Sequence, residues 1–178
     1  MSRLTLLILD ANVVIHLHEF GLWSRLIAAC DVHLPRTVVG EADYYEQDGE
    51  KRVIDLRPEI DQRRIQIFDV PLPDIIAFRN RFDPLYVDGL DPGESEALAY
   101  LCNRADTFKI SSGDAIVYRV LGRLNRSDQG ISLEEILQSI GLQRNQLPWS
   151  CRRAFRLKYT TEGEVDAIQG TGLKKRKK

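Results

Sequence analysis

The feature that most constrains this chain is a short apolar run near its start, residues 4–9 (Leu-Thr-Leu-Leu-Ile-Leu), which Asp10 closes. A strand that faces water on one side alternates apolar and polar residues, whereas one that is apolar on both sides must be covered on both. The run therefore reads as a buried parallel strand with Asp10 at its carboxyl end. Parallel neighbours need a crossover, usually a helix, and the following sequence supplies the alternation. Residues 11–20 and 22–30 read as two helices separated at Gly21, and residues 32–34 as a short strand that Pro35 ends. Thr37 can cap a helix through Val38, Val39, Ala42 and Tyr45, with Glu41 beside its apolar face and Gly49 as its end.

The alternation continues with a strand over residues 65–70 and a helix around residues 74–82. Asp91-Pro92-Gly93-Glu94 then opens a helix through Ala97, Leu98, Leu101 and Cys102. Residues 108–110 form a strand candidate before Ser111, Ser112 and Gly113, and Asp114 lies in the first turn of a helix bearing Ile116, Val117, Val120 and Leu121. Ser132 with Glu135 makes a capping box for one more helix. This order predicts an α/β protein, a three-layer α/β/α fold around a central parallel sheet. At 178 residues the chain suits one core.

Residues 1–141 read as the main domain and residues 142–178 as a basic, partly flexible C-terminal extension. Leu147, Trp149, Phe155 and Leu157 can pack, but residues 160–172 are polar and glycine-rich. The net charge of −1 hides a segregation: residues 144–178 hold ten Lys/Arg against three Asp/Glu, +7, which leaves −8 for the rest. No stretch approaches the roughly 20 apolar residues of a membrane span, so the sequence suggests no membrane and a cytoplasmic location. Cys30, Cys102 and Cys151 are odd in number and widely spaced, which fits reduced thiols.

In open α/β sheets ligands bind beyond the carboxyl ends of the strands, where Asp10 and Asp114 are both predicted. Glu41 and Glu94 are predicted to open helices between them. Four such carboxylates would repel strongly unless a cation neutralised them, and oxygen-only ligation favours Mg²⁺ or Mn²⁺ over zinc. Each acid also has a local explanation. Asp10 can cap the following helix, Asp91 and Glu94 match a capping box, Asp114 can complement a helix dipole, and Glu41 can sit on a solvated helix face. Other chemistries fit less well. His16 and His18 cannot share a helix face, His33 has no partner in spacing, and no phosphate-binding glycine signature occurs.

Leu7-Ile8-Leu9-Asp10-Ala11-Asn12-Val13-Val14-Ile15 resembles the first motif of PIN-domain ribonucleases, whose acidic residue ligates metal and whose polar residue two places on assists it. Pro35-Arg36-Thr37-Val38-Val39-Gly40-Glu41 is similar to the second motif. Asp91-Pro92-Gly93-Glu94-Ser95-Glu96-Ala97-Leu98-Ala99 resembles the third, and Ile110-Ser111-Ser112-Gly113-Asp114 the fourth. The resemblance spans residues 4–124. It implies hydrolysis of RNA phosphodiester bonds assisted by Mg²⁺ or Mn²⁺, with Asp10, Glu41, Glu94 and Asp114 as catalytic metal ligands and Asn12 and Ser112 as supporting hydrogen bonders. The family often carries an acid where Ser112 or Gly113 stands, which leaves one or two metals open. It also usually continues into another short strand, for which residues 123–138 show no clear counterpart.

The family includes toxins of toxin–antitoxin pairs, which makes an antitoxin protein, RNA and a second copy of the chain the expected partners. The rival reading is a catalytically weak RNA-binding or assembly module on the same fold. Lys174, Lys175, Arg176, Lys177 and Lys178 form a basic tail, read either as a phosphate-binding attachment or as a solubilising end. Replacing Asp10 or Asp114 by Asn is expected to leave metal-free stability undiminished, because it removes repulsion.

Overall fold

In a computed structural model, residues 3–8, 10–104, 108–142, 144 and 146–174 are described. The chain begins with β1 (Leu4–Ile8), α1 (Ala11–Glu19), α2 (Trp23–Ala29), β2 (Cys30–Pro35) and α3 (Arg36–Glu41). A hairpin of β3 (Tyr44–Gln47) and β4 (Glu50–Val53) follows, then α4 (Arg57–Asp61), β5 (Ile65–Phe68), α5 (Leu72–Arg79) and α6 (Pro92–Cys102). The last elements are β6 (Lys109–Ser111), α7 (Ala115–Arg123), α8 (Leu133–Ser139) and α9 (Arg153–Gln169).

The main sheet has the order β5-β2-β1-β6 with every pairing parallel. Both faces are covered, as the unbroken apolar run requires. Alternate strand residues feed two clusters. Leu6, Val32, Leu34 and Ile65 pack with α1, α2 and α8 through Val14, Leu17, Leu26 and Ile136. Ile110 and Phe68 pack with α5, α6 and α7 through Phe78, Leu98, Leu101, Val117 and Leu121. The α/β/α layering expected from the sequence is thus the observed one. Among the described residues no helix is long and apolar enough to cross a membrane.

Three segments differ from the sequence reading. The helix expected to run from Thr37 past Tyr45 stops at Glu41, and the chain turns into the β3–β4 hairpin. Asp48 and Gly49 both take positive φ at its tip (54° and 78°), the backbone that a tight hairpin turn demands. Past α7, a single bridge joins Ile110 to Gly130, and the Ile131 N–H donates to the Ile110 carbonyl at 2.8 Å, extending the β6 edge. That is too short to leave a periodic signal.

The third difference lies at the C-terminal end. Residues 160–169, expected to be flexible, belong to α9, which packs across α7 with Thr160, Gly163 and Asp166 buried. The Arg119 guanidinium donates to Asp166 at 2.6 Å, and the Tyr86 hydroxyl donates to the same carboxylate at 2.7 Å. Beyond the helix, the Asp83 N–H donates to the Gly172 carbonyl at 2.8 Å and the Lys174 N–H to the Arg81 carbonyl at 3.0 Å. The extension is therefore folded onto the body as far as Lys174.

A candidate active site at the sheet's switch point

From β1 the chain crosses first to β2 on one side of the sheet and only later to β6 on the other, so the order reverses between β1 and β6. A crevice opens where neighbouring strands send their connections to opposite sides. Ile8 pairs with Ser111, so continuing the register by two residues sets Asp10 opposite Gly113. The geometry bears this out, because the Gly113 N–H donates to Asp10 Oδ2 at 3.0 Å. A Cβ at position 113 would lie 2.8 Å from that oxygen, so a side chain here would displace the Asp10 carboxylate.

Asp10 caps α1, its Oδ1 accepting from the Asn12 N–H at 2.7 Å. Asp114 caps α7 by backbone conformation alone, for its side chain makes no cap hydrogen bond. Glu94, 1 % exposed, closes a capping box with Asp91 at the start of α6: its backbone N–H donates to Asp91 Oδ1 at 2.7 Å, and its carboxylate accepts from the Asp91 N–H at 3.2 Å. Ser112 joins two acids, its hydroxyl donating to Glu94 Oε1 at 3.2 Å and accepting from the Asp114 N–H at 2.9 Å. The capping roles read from the sequence are thus real for Asp10 and Glu94. They do not exclude others, since each carboxylate keeps lone pairs that these bonds leave unused.

Glu41 ends α3 rather than opening a helix, and stands at the rim in a groove with Ile15, Glu19, Tyr44 and Tyr45. Thr37 does not cap that helix. Its hydroxyl donates to the buried Glu96, which also accepts from the Val70 N–H, so Glu96 serves the scaffold.

Charge crowding is visible in the acids' proton affinities. Burial, then the neighbouring Asp91 and Asp114 carboxylates, raise Glu94 to about 8. Asp114 is raised by burial, Asp10 and Asp91, and Glu41 by burial, Asp91 and Asp10. The opposing influences on Glu94 and Asp114 come from the backbone N–H groups of Asp91 and Ala115. Glu94, Asp114 and Glu41 thus each feel Asp10, and each also feels Asp91. As the side chains stand, no three His, Cys, Asp or Glu residues among the described ones form a group that could hold a metal ion.

An open cleft of roughly 360 Å³ is lined by Asp10, Asn12, Val13, His16, Gly113, Asp114, Ser150 and Cys151. His16, Ser150 and Cys151 did not emerge as site residues from the sequence. Ser150 and Cys151 arrive through tertiary docking of the segment before α9, which leaves no local signal. Burial, with a weaker push from Asp10, holds the Cys151 thiol up at about 11, so it is a protonated wall residue rather than a nucleophile. No protein-family model, curated protein or solved structure matches this chain. Of the basic tail, Lys174 is exposed, with its ammonium 3.3 Å from Asn80 Oδ1. Lys175, Arg176, Lys177 and Lys178 lie outside the described residues.

The raised Glu94 has a measurable consequence. Its folded-state pKa of about 8 exceeds the ordinary 4.5, so between those values the folded protein binds the extra proton. Its contribution is therefore most favourable at low pH, declines as pH rises through this window, and levels off above it. Glu94→Gln removes the charge while its amide oxygen can still accept from the Asp91 N–H. In EDTA the variant should match wild type near pH ~4 and exceed it by a few kcal/mol, order of magnitude, near pH ~9. Urea unfolding across that range tests this; a stability difference that does not change with pH would refute it.

Proposed function

We propose that the chain is a metal-dependent endoribonuclease with a PIN-like site, in which Asp10, Asp114 and Glu94, aided by Glu41 at the rim, hold Mg²⁺ or Mn²⁺. The observation that carries this reading is the crowding of weakly neutralised carboxylates at the sheet's switch point. The donor set fits a hard divalent cation, being all oxygen and held at the ends of rigid elements. Ligation requires side-chain rotation from the arrangement described, most readily at Asp114, whose carboxylate makes no cap hydrogen bond.

Bound there, the metal would lower the pKa of a coordinated water and stabilise charge developing at phosphorus. The remaining work belongs to the chain. Ser112 orients Glu94 and the start of α7, the Gly113 N–H fixes Asp10, and Asn12, which lines the cleft, would donate to a phosphate oxygen. Glu94, whose proton affinity is raised in the metal-free protein, would give up its proton to serve as a ligand. The natural partners of such a site are RNA and, if the chain is the toxin of a toxin–antitoxin pair, an antitoxin that covers the cleft.

One observation favours the rival reading of a binding module without catalysis: the acids are not preassembled for ligation among the described residues. Incubating mixed single-stranded and structured RNAs with the purified protein in Mg²⁺, Mn²⁺ and EDTA separates the two. Cleavage with either metal and none in EDTA is expected; RNA binding with no cleavage in any arm leaves the module reading.

A further inference from the structure

We propose that Trp149 is a stacking platform for an unpaired base of single-stranded RNA laid across the Asp10–Asp114 cleft. The inference rests on the nuclease reading for its substrate class and on separate observations for its residue. A cleft lined by carboxylates repels a polyanion, so affinity for RNA must come from groups flanking it. Stacking meets that need because it involves the uncharged face of the base.

Trp149 is 52 % exposed, unusual for a residue type that is highly buried on average. Its position is nevertheless fixed. It begins a 3₁₀ turn, Trp149–Cys151, anchored by the buried Leu147 on one side and the buried Cys151 on the other. The Arg152 N–H donates to the Trp149 carbonyl at 3.1 Å, and Arg152 Nε donates to the Leu147 carbonyl at 3.0 Å. The indole meets the Phe155 ring at 6.0 Å and 89°, which sets its orientation while about half of its surface stays in water. The next residue, Ser150, lines the carboxylate cleft. A solvent-facing indole, packed against Phe155 and one residue from the cleft, offers a flat ligand a surface already in place.

His16, also in the cleft lining, supplies a second aromatic feature. Its ring stacks on Phe20 at 5.7 Å and 8°, and the Arg144 guanidinium lies 3.9 Å from the Phe20 centroid. Exposed Arg144 provides positive charge outside the acidic cleft, while exposed Arg153 shares its charge with Glu135 at 3.6 Å. Ring faces with cations nearby suit a strand whose bases are free to unstack, whereas a duplex keeps its base faces occupied.

The test uses the full chain in EDTA with a short fluorescently labelled oligouridylate, and measures anisotropy for wild type, Trp149→Ala and Trp149→Phe. Trp149→Ala should bind about 5- to 150-fold more weakly, the range for loss of one base-stacking aromatic, and Trp149→Phe should stay within a few-fold of wild type. Unlabelled oligouridylate should quench wild-type tryptophan emission but not that of Trp149→Phe, which retains only the buried Trp23. With Mn²⁺, Trp149→Ala should raise KM and leave kcat within about twofold, the pattern of lost ground-state binding. Folded Trp149→Ala that binds oligouridylate as wild type does, or duplex RNA that competes equally, would overturn the proposal. Cleavage with an unchanged KM in Trp149→Ala removes the stacking role and leaves the nuclease reading. Trp149-dependent binding without cleavage in any metal does the reverse, and absence of both binding and cleavage removes both.

Discussion

Asp114→Asn should abolish metal-dependent cleavage, leave the metal-free protein at least as stable as wild type, and remove most of the stabilisation conferred by Mn²⁺. The Asp114 carboxylate makes no hydrogen bond that caps α7, so the amide forfeits no cap. Burial, Asp10 and Asp91 disfavour its ionised form, so removing the charge relieves repulsion in the folded state at neutral pH. A ligand that binds only the folded state stabilises it by mass action, about 2.7 kcal/mol at a hundred times Kd, and this increment disappears with the site. The rate should fall by more than the roughly 10–100-fold lost with an outer-shell metal partner.

Asp10→Asn should lose activity in the same way but behave differently without metal. The two Asp10 oxygens accept from two backbone groups, Asn12 N–H on α1 and Gly113 N–H beyond β6. An amide offers one oxygen, so either the exposed Asn12 or the half-buried Gly113 loses its partner, at a cost of about 1 kcal/mol. The structure therefore breaks the symmetry that sequence reasoning assigned to the two aspartates. Thermal melts of both variants in EDTA and in Mn²⁺ distinguish these effects: equal Mn²⁺ stabilisation in wild type and both variants would show that neither aspartate ligates the metal.

What the sequence made legible follows from how each feature is encoded. The parallel sheet could be read because residues 4–9 form an unbroken apolar run, and the shared end of Asp10 and Asp114 because one closes a strand, the other follows one, and ligands gather beyond the carboxyl ends of parallel strands. The capping boxes at Asp91–Glu94 and Ser132–Glu135 are local and were visible for that reason. The β3–β4 hairpin was missed because its residues are mostly exposed, which erases the alternation that marks a half-buried strand. Its remaining signal, Asp48-Gly49, served equally well as a helix end. The cleft wall at Ser150 and Cys151 was invisible because tertiary docking alone brings it there. In α9 the buried stripe includes Thr160, Gly163 and Asp166, so a search for apolar periodicity finds none.

That polar stripe leads to the largest loss of stability expected, from Gly163→Ala. Where α9 crosses α7, Gly163 and Gly122 bring the two backbones together. A Cβ at Gly163 would overlap the Arg119 carbonyl oxygen and lie 2.8 Å from the Arg119 carbonyl carbon and from the Arg123 nitrogen. These are helix backbone atoms and cannot rotate away, so α9 itself must move. Movement would strain the Arg119–Asp166 pair and the Tyr86 hydroxyl bond, which lie beside the crossing. Ala gains some helix propensity over Gly, about 1 kcal/mol, but overpacking against backbone should exceed the usual ~1–3 kcal/mol. A net loss of about 3 kcal/mol would lower Tm by roughly 6–12 °C in a chain of this size. The effect should reach the site, because Ser150 and Cys151 on the cleft wall lie just ahead of α9. Ala at Gly40, where a Cβ meets nothing within 4 Å, is the control and should shift Tm little. A Gly163→Ala melt within a degree or so of wild type would mean that α9 does not cross α7 this closely, and that the cleft wall is held by something else.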